Sequence, residues 1–234
     1  MIKLIHGDCL QEIPKLDMVD ISFTSPPYNR KRNDKYAKYD DAIDNYFEFL
    51  CQFTDLLISK SRKYVIVNIQ KSYYNKEDVF RYIGHYADKI QEIIIWEKSN
   101  PLPANAHNIT NAYEFFIILG DSSLKSNSTY TKNHITTAVN SETNTNTHKA
   151  VMKQDVADWF IEKFTNTNDV VLDCFMGLGT TGIACKKLNR NFIGIEINDD
   201  YYKEAERRIN GTNILGDTVS KINGSILQKM QKLF

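Results

Sequence analysis

The chain has 234 residues, a length that suits one α/β domain with a sizeable core. Lysine plus arginine and aspartate plus glutamate number 29 each, so net charge carries no nucleic-acid signature and phosphate contacts need a local basic face. The widely spaced Cys9, Cys51, Cys174 and Cys185 form no C-x-x-C pair, which argues against a metal site or a disulfide framework. No apolar run is long enough to span a bilayer, and Met1-Ile2-Lys3-Leu4 does not open a signal peptide. A cytoplasmic chain with no membrane partner is expected.

Residues 3–6 read as a strand closed by Gly7-Asp8, where Asp8 is well placed to cap the segment that follows. Residues 19–23 read as a short buried strand, halted by Thr24-Ser25-Pro26-Pro27-Tyr28-Asn29. Neither proline offers an N–H and each fixes φ at about −65°, so the ladder stops and the turn carries unpaired carbonyls. With the Ser25 hydroxyl before the prolines and Tyr28 after them, the turn suits a planar, amino-bearing ring; it also reads as an ordinary strand-ending turn. Beyond it, Asn29, Arg30, Lys31 and Arg32 precede Tyr36 and Tyr39. Basic residues interleaved with tyrosines suit phosphates and unstacked bases, or form a solvated charged loop.

A helix is expected over 41–59, with Ile43, Phe47, Leu50, Phe53 and Leu57 at helical spacing. A strand at 63–69, a helix over 76–87 and a strand at 93–96 come next. The last is an unbroken apolar run that suggests burial on both faces. Residues 112–119 read as a strand hairpinning back, and 120–147, rich in Ser, Thr and Asn, as a loop. A helix over 154–164 leads to the second informative stretch. There a strand at 169–172 runs into Asp173-Cys174-Phe175-Met176-Gly177-Leu178-Gly179-Thr180-Thr181, a helix over 182–188, and a strand at 192–195 ending on Glu196. That is the layout of a nucleotide-binding βαβ unit: the glycines admit a ligand to the backbone and the distant acid takes a ribose hydroxyl. A helix over 199–209 and an unassigned tail close the chain.

Ser-Pro-Pro-Tyr after one strand, with Asp-x-Phe-x-Gly-x-Gly-Thr-Thr after another, resembles the β-class amino-group DNA methyltransferases of restriction–modification systems. The likeness runs over about residues 4–209 and includes Trp96-Glu97-Lys98-Ser99-Asn100-Pro101, similar to the family's Trp-x-Lys-x-Asn-Pro run. It implies a Rossmann-like methyltransferase fold: a mixed, mostly parallel sheet with helices on both faces and a circularly permuted motif order. It also implies one catalytic domain over 1–234, with a short target-recognition insertion at about 97–147. The cofactor would be S-adenosylmethionine, held by Asp8, Asp173, Phe175, Gly177, Gly179, Thr180, Thr181 and Glu196. His148 would join them, although Lys149 and Lys153 replace the prolines of the family's His-Pro-Ala-x-x-Pro segment.

By the same resemblance Ser25, Pro26, Pro27 and Tyr28 would carry catalysis on a base flipped out of double-stranded DNA, and Asn29 to Arg32 would meet the DNA. A homodimer and a cognate restriction endonuclease are the further partners implied. Serine in the first motif position goes more often with cytosine N4, aspartate with adenine N6. Cytosine-5 enzymes carry a Pro-Cys dipeptide that this chain lacks. Protein-glutamine and RNA methyltransferases of the Asn-Pro-Pro-Tyr type usually place the two loops in the opposite order, and an inactive DNA-binding relative would show damaged motifs.

Overall fold

The structure, a computed structural model, describes residues 1–29, 42–101, 110–121, 123–138 and 151–211. Its strands are β1 (Ile2–His6), β2 (Val19–Thr24), β3 (Ser61–Ile69), β4 (Ile90–Lys98), β5 (Tyr113–Leu119), β6 (His134–Thr137), β7 (Val170–Asp173) and β8 (Asn191–Glu196). The helices are α1 (Cys9–Glu12), α2 (Tyr46–Lys60), α3 (Lys76–His85), α4 (Gln154–Phe164), α5 (Thr180–Lys187) and α6 (Asp199–Asn210). One sheet in the order β1-β8-β7-β2-β3-β5-β4-β6 joins the eight strands; every pairing is parallel except those of β5.

Strand periodicity explains why both faces are covered. In β3, Tyr64 and Ile66 enter an apolar cluster with Val156, Phe160, Ile183 and Ile209 of α4, α5 and α6. Val65, Val67 and Ile69 enter the opposite cluster with Leu50, Phe53, Val79 and Tyr82 of α2 and α3. Successive side chains point to opposite faces, so a central strand must be apolar throughout. Each such buried side chain contributes roughly 1.5–3 kcal/mol by leaving water. Ile66→Ala, at a site with no exposure, would cost about 2–5 kcal/mol.

From β2 the chain crosses by α2 to β3, and from β7 by α5 to β8, on opposite faces of the sheet. The strand order therefore reverses between β7 and β2, where open α/β sheets leave a crevice at the carboxyl ends of the strands. Both informative loops start at that crevice.

Three expectations are corrected. The run at 93–96 is not covered on both faces: within β4 only Ile94 and Trp96 are buried. That strand lies one place from the sheet's end, flanked by β5 and the short β6. The segment 120–147, read as loop, contains β6, whose pairing runs from Ile95↔His134 to Lys98↔Thr137. Its sequence, His134-Ile135-Thr136-Thr137, is β-branched enough to pair along an edge. Helix α2 starts at Tyr46 rather than 41, because Asn45 takes a left-handed conformation (φ 53°) that a helix cannot contain. Part of the recognition region expected at 97–147 lies outside the described residues.

Candidate active site

The loop after β7 is fixed mainly by its own neighbourhood. Asp173, at the strand's end, is buried, and its two oxygens face two threonines. Thr24 Oγ1 donates to Oδ1 and Thr181 Oγ1 to Oδ2, both at 2.7 Å, and the Phe175 N–H reaches Oδ1 at 3.2 Å. Burial pushes this carboxyl up to about 6, against the pull of the Thr181 and Thr24 hydroxyls and the Phe175 N–H. Gly177 and Gly179 have φ of +52° and +78°, the left-handed region that β-carbons disfavour. A Cβ on Gly179 would come within 2.9 Å of Ile209, whereas one on Gly177 would meet nothing nearer than the Phe175 carbonyl at 4.0 Å. Backbone at Gly177 thus borders open space, as a ligand cradle requires.

Glu196, at the end of β8, closes the far side. Its Oε2 accepts from the Gly177 N–H at 2.8 Å and its Oε1 from the Asn198 N–H at 2.9 Å. Each oxygen has a second lone pair available for a hydroxyl. Burial raises its pKa, while the backbone N–H groups of Asn198, Gly177 and Ile197 lower it. Phe175 anchors the loop from beneath, edge-on to Phe53 at 5.0 Å and tilted on Phe49 at 5.7 Å. Asp8 caps α1 by accepting from the Leu10 N–H at 2.9 Å. Thr180 and Thr181 are buried in the first turn of α5, and His148 lies outside the described residues.

The loop after β2 is held from a distance. Tyr46 Oη donates to the Pro27 carbonyl at 2.8 Å, and Asn75 Nδ2 to the Tyr28 carbonyl at 2.7 Å. The Pro26 carbonyl has no partner among the described residues. Around the Tyr28 hydroxyl stand Asn68 Oδ1 at 2.7 Å, Glu114 Oε2 at 3.0 Å and Ser25 Oγ at 3.0 Å. Ser25 Oγ also donates to Asn68 Oδ1 at 3.2 Å. Asn68 Nδ2 donates across the sheet to the Phe115 carbonyl at 3.1 Å, which turns its oxygen toward the two hydroxyls. The other Glu114 oxygen is ion-paired with Lys98, and Glu114 is only 4% exposed.

Sequence reasoning missed Asn68, Glu114 and Lys98 as parts of this site, and the available signal was a polar residue inside an apolar strand. One expected DNA contact, Asn29, has a structural role. Asn29 is 4% exposed, and its amide brackets Ile43, donating to that carbonyl and accepting from that N–H at 3.1 Å each. With φ of 50° it holds a left-handed turn, a role asparagine fills well. Arg30, Lys31 and Arg32 lie outside the described residues.

The N6 and N4 DNA methylase family model matches residues 19–207, from the strand before the Pro-Pro turn into the helix after Glu196. This chain belongs to that DNA methylase family. It is 27% identical to the type II methyltransferase M.HinfI of Haemophilus influenzae, over 88% of this chain and 67% of that protein. The crystal structure of an M1.HpyAVI–SAM complex superposes with a TM-score of 0.66 at 26% identity, over 89% of this chain and all of the other. The cytosine-N4-specific PvuII DNA methyltransferase superposes with a TM-score of 0.75 over 97% of this chain and 93% of its own. At 18% identity that last likeness is one of fold. The chain is a DNA amino-methyltransferase with the expected S-adenosylmethionine-dependent α/β fold.

Proposed function

We propose that this chain methylates the N4 amino group of cytosine in double-stranded DNA, using S-adenosylmethionine. The residues after β7 and β8 fit that cofactor: Gly177 offers open backbone, and the Glu196 carboxylate keeps lone pairs for ribose hydroxyls. S-adenosylmethionine supplies a methyl group on a sulfonium, a donor that needs neither metal nor covalent protein intermediate. Asp173 shapes the cradle rather than filling it, since its oxygens are engaged with Thr24, Thr181 and Phe175. Its bond to Thr24 joins the two loops directly.

The observation that carries the reading is the pair of acceptors side by side in the catalytic loop, the Ser25 hydroxyl and the open Pro26 carbonyl. An exocyclic amine spreads its lone pair into the ring. Accepting hydrogen bonds from both of its protons favours a pyramidal nitrogen whose lone pair faces the methyl group. For Ser25 to accept, its own proton must go elsewhere. Asn68 Oδ1 has two lone pairs: the Tyr28 hydroxyl donates to it at 2.7 Å, with Glu114 Oε2 also in reach at 3.0 Å, and the Ser25 hydroxyl donates to it at 3.2 Å. The Ser25 lone pairs are then left for the amine.

Tyr28 is fixed at both its hydroxyl and its carbonyl, so its ring is a rigid platform for the flipped base. Flipping costs a few kcal/mol, and stacking on the ring returns roughly 1–3 kcal/mol. Both acceptors are neutral, which suits the cytosine amine. The test is to incubate the protein with S-adenosylmethionine and unmethylated duplex DNA, digest the DNA and weigh the nucleosides. N4-methylcytosine is expected, and absent with Tyr28→Ala. N6-methyladenine without N4-methylcytosine would overturn the choice of base.

A further inference from the structure

Leaving β3, the chain forms the turn Gln70-Lys71-Ser72-Tyr73-Tyr74-Asn75 before α3 begins at Lys76. It is a built turn. Asn75 has no exposure; its Nδ2 donates to the Gln70 carbonyl at 3.0 Å, and its Oδ1 accepts from the Ser72 N–H at 2.6 Å and the Ser72 hydroxyl at 2.9 Å. The same Nδ2 reaches the Tyr28 carbonyl at 2.7 Å, so this turn and the catalytic loop are one hydrogen-bonded unit. On that anchored frame two large aromatics face solvent: Tyr73 is 67% exposed and Tyr74 61%. Their rings meet edge to face at 5.6 Å, and the Lys76 ammonium sits 5.1 Å from the Tyr73 ring.

Among the described residues, neither ring enters an apolar cluster of the core. Buried Asn75 accounts for the turn's shape, and the apolar cluster on this face takes Val79 and Tyr82 of α3 instead. Tyr113 lies on the same rim: it begins β5 two residues before Phe115, which pairs with Ile69 at the end of β3, and it is also exposed. From 70 to 76 the chain carries two lysines and no acid. Of the acids that follow, Asp78 is paired with Arg81 at 3.8 Å, and Glu77 is exposed.

We propose that Tyr73 and Tyr74, with Lys71 and Lys76 beside them, form a second DNA-contacting element, on which the strand flanking the flipped nucleotide rests. The proposal depends on the DNA-methyltransferase reading above. A flipped base leaves its neighbours partly unstacked, and an aromatic face accepts any base, because every base has a π-face. The lysines supply phosphate contacts of the ordinary kind. The bond from Asn75 to the Tyr28 carbonyl sets the platform's position relative to the target base. The element confers grip rather than sequence choice.

The experiment uses the full chain, unmethylated phage DNA and radiolabelled S-adenosylmethionine. Wild-type protein that transfers no methyl group to DNA would overturn the underlying reading, and the proposal with it. Given transfer, the double variant Tyr73→Ala/Tyr74→Ala should raise KM for DNA about tenfold or more. Its S-adenosylmethionine affinity by calorimetry should stay at the wild-type value. Tyr73→Phe/Tyr74→Phe should restore KM, because stacking needs the ring and not the hydroxyl. Lys71→Ala/Lys76→Ala should reduce the slope of log affinity against log salt by about 1–2. An unchanged KM in the alanine pair, or a parallel loss of cofactor affinity, would overturn the proposal while leaving the methyltransferase reading intact.

Discussion

The loop after β2 and the loop after β7 leave adjacent parallel strands, yet they are held by different kinds of contact. Within the second, Asp173 is met by Thr181 eight residues on, and Gly177 by Glu196 nineteen residues on. Within the first, the partners of Ser25 and Tyr28 are Asn68, 40 to 43 residues away, and Glu114, 86 away. The loop after β7 is thus mostly a local construction of strand, glycines and helix, tied to the other loop through Thr24. The catalytic loop is a prolyl turn whose geometry is imposed by the far strands of the sheet. The lesson is that the rigid part of this site depends on sheet assembly, while the ligand cradle depends on its own βαβ unit.

The sharpest way to break that contrast is Glu114→Leu. It removes one acceptor of the Tyr28 hydroxyl, the other being Asn68, and leaves the Lys98 ammonium without its partner. Losing one member of a buried ion pair costs about 3–5 kcal/mol, and the lower end applies because Lys98 is near enough to the surface to reach water. Denaturant unfolding should show that loss, and methyl transfer should fall steeply. Cofactor affinity should stay within a few-fold of wild type, since no Glu114 contact reaches the cradle. A parallel collapse of cofactor binding would mean that the two loops are not separately supported.

Asp173 tests the other side of the comparison. Its folded pKa of about 6 lies above the usual carboxylate value, so the native state holds this proton more tightly than the unfolded chain. That contribution is fully present below about pH 4 and is lost as pH rises through about 6. The two-unit shift corresponds to about 3 kcal/mol. Glu196, also raised by burial, acts in the same direction. Asp173→Asn removes one titration, so the fall in unfolding free energy between pH 4 and 7 should be shallower by about 2–3 kcal/mol. An identical slope in the variant would show that burial does not hold this proton.

How far the sequence was readable follows the same division. Gly177, Gly179 and Glu196 were legible as a cradle because all three lie within one βαβ unit. Ser25 to Tyr28 were legible as a turn, but not what holds it. Asn68 stands in Val65-Ile66-Val67-Asn68-Ile69 and Glu114 in an otherwise apolar strand, each a buried polar group in need of a partner. Which strands would lie side by side was not written locally, and the order β2-β3-β5-β4 is what brings Asn68, Glu114 and Lys98 to one place. Asn29 reads as a DNA contact from its polar neighbours, and its left-handed backbone and its two bonds to Ile43 are not legible there.

Asn29 supplies the smallest effect and the finest discrimination. Its side chain satisfies both the N–H and the carbonyl of Ile43 from a left-handed backbone conformation. Asn29→Ala leaves those two backbone groups without their partners and places a β-carbon where φ is 50°. A typical intramolecular hydrogen bond contributes about 1 kcal/mol, so roughly 1–2 kcal/mol of stability should be lost, read from the denaturant midpoint. Alanine there touches no phosphate and no base, so DNA affinity measured well below the unfolding transition should not change. A DNA affinity that falls tenfold with no change in stability would return Asn29 to the DNA interface and make its bonds to Ile43 incidental.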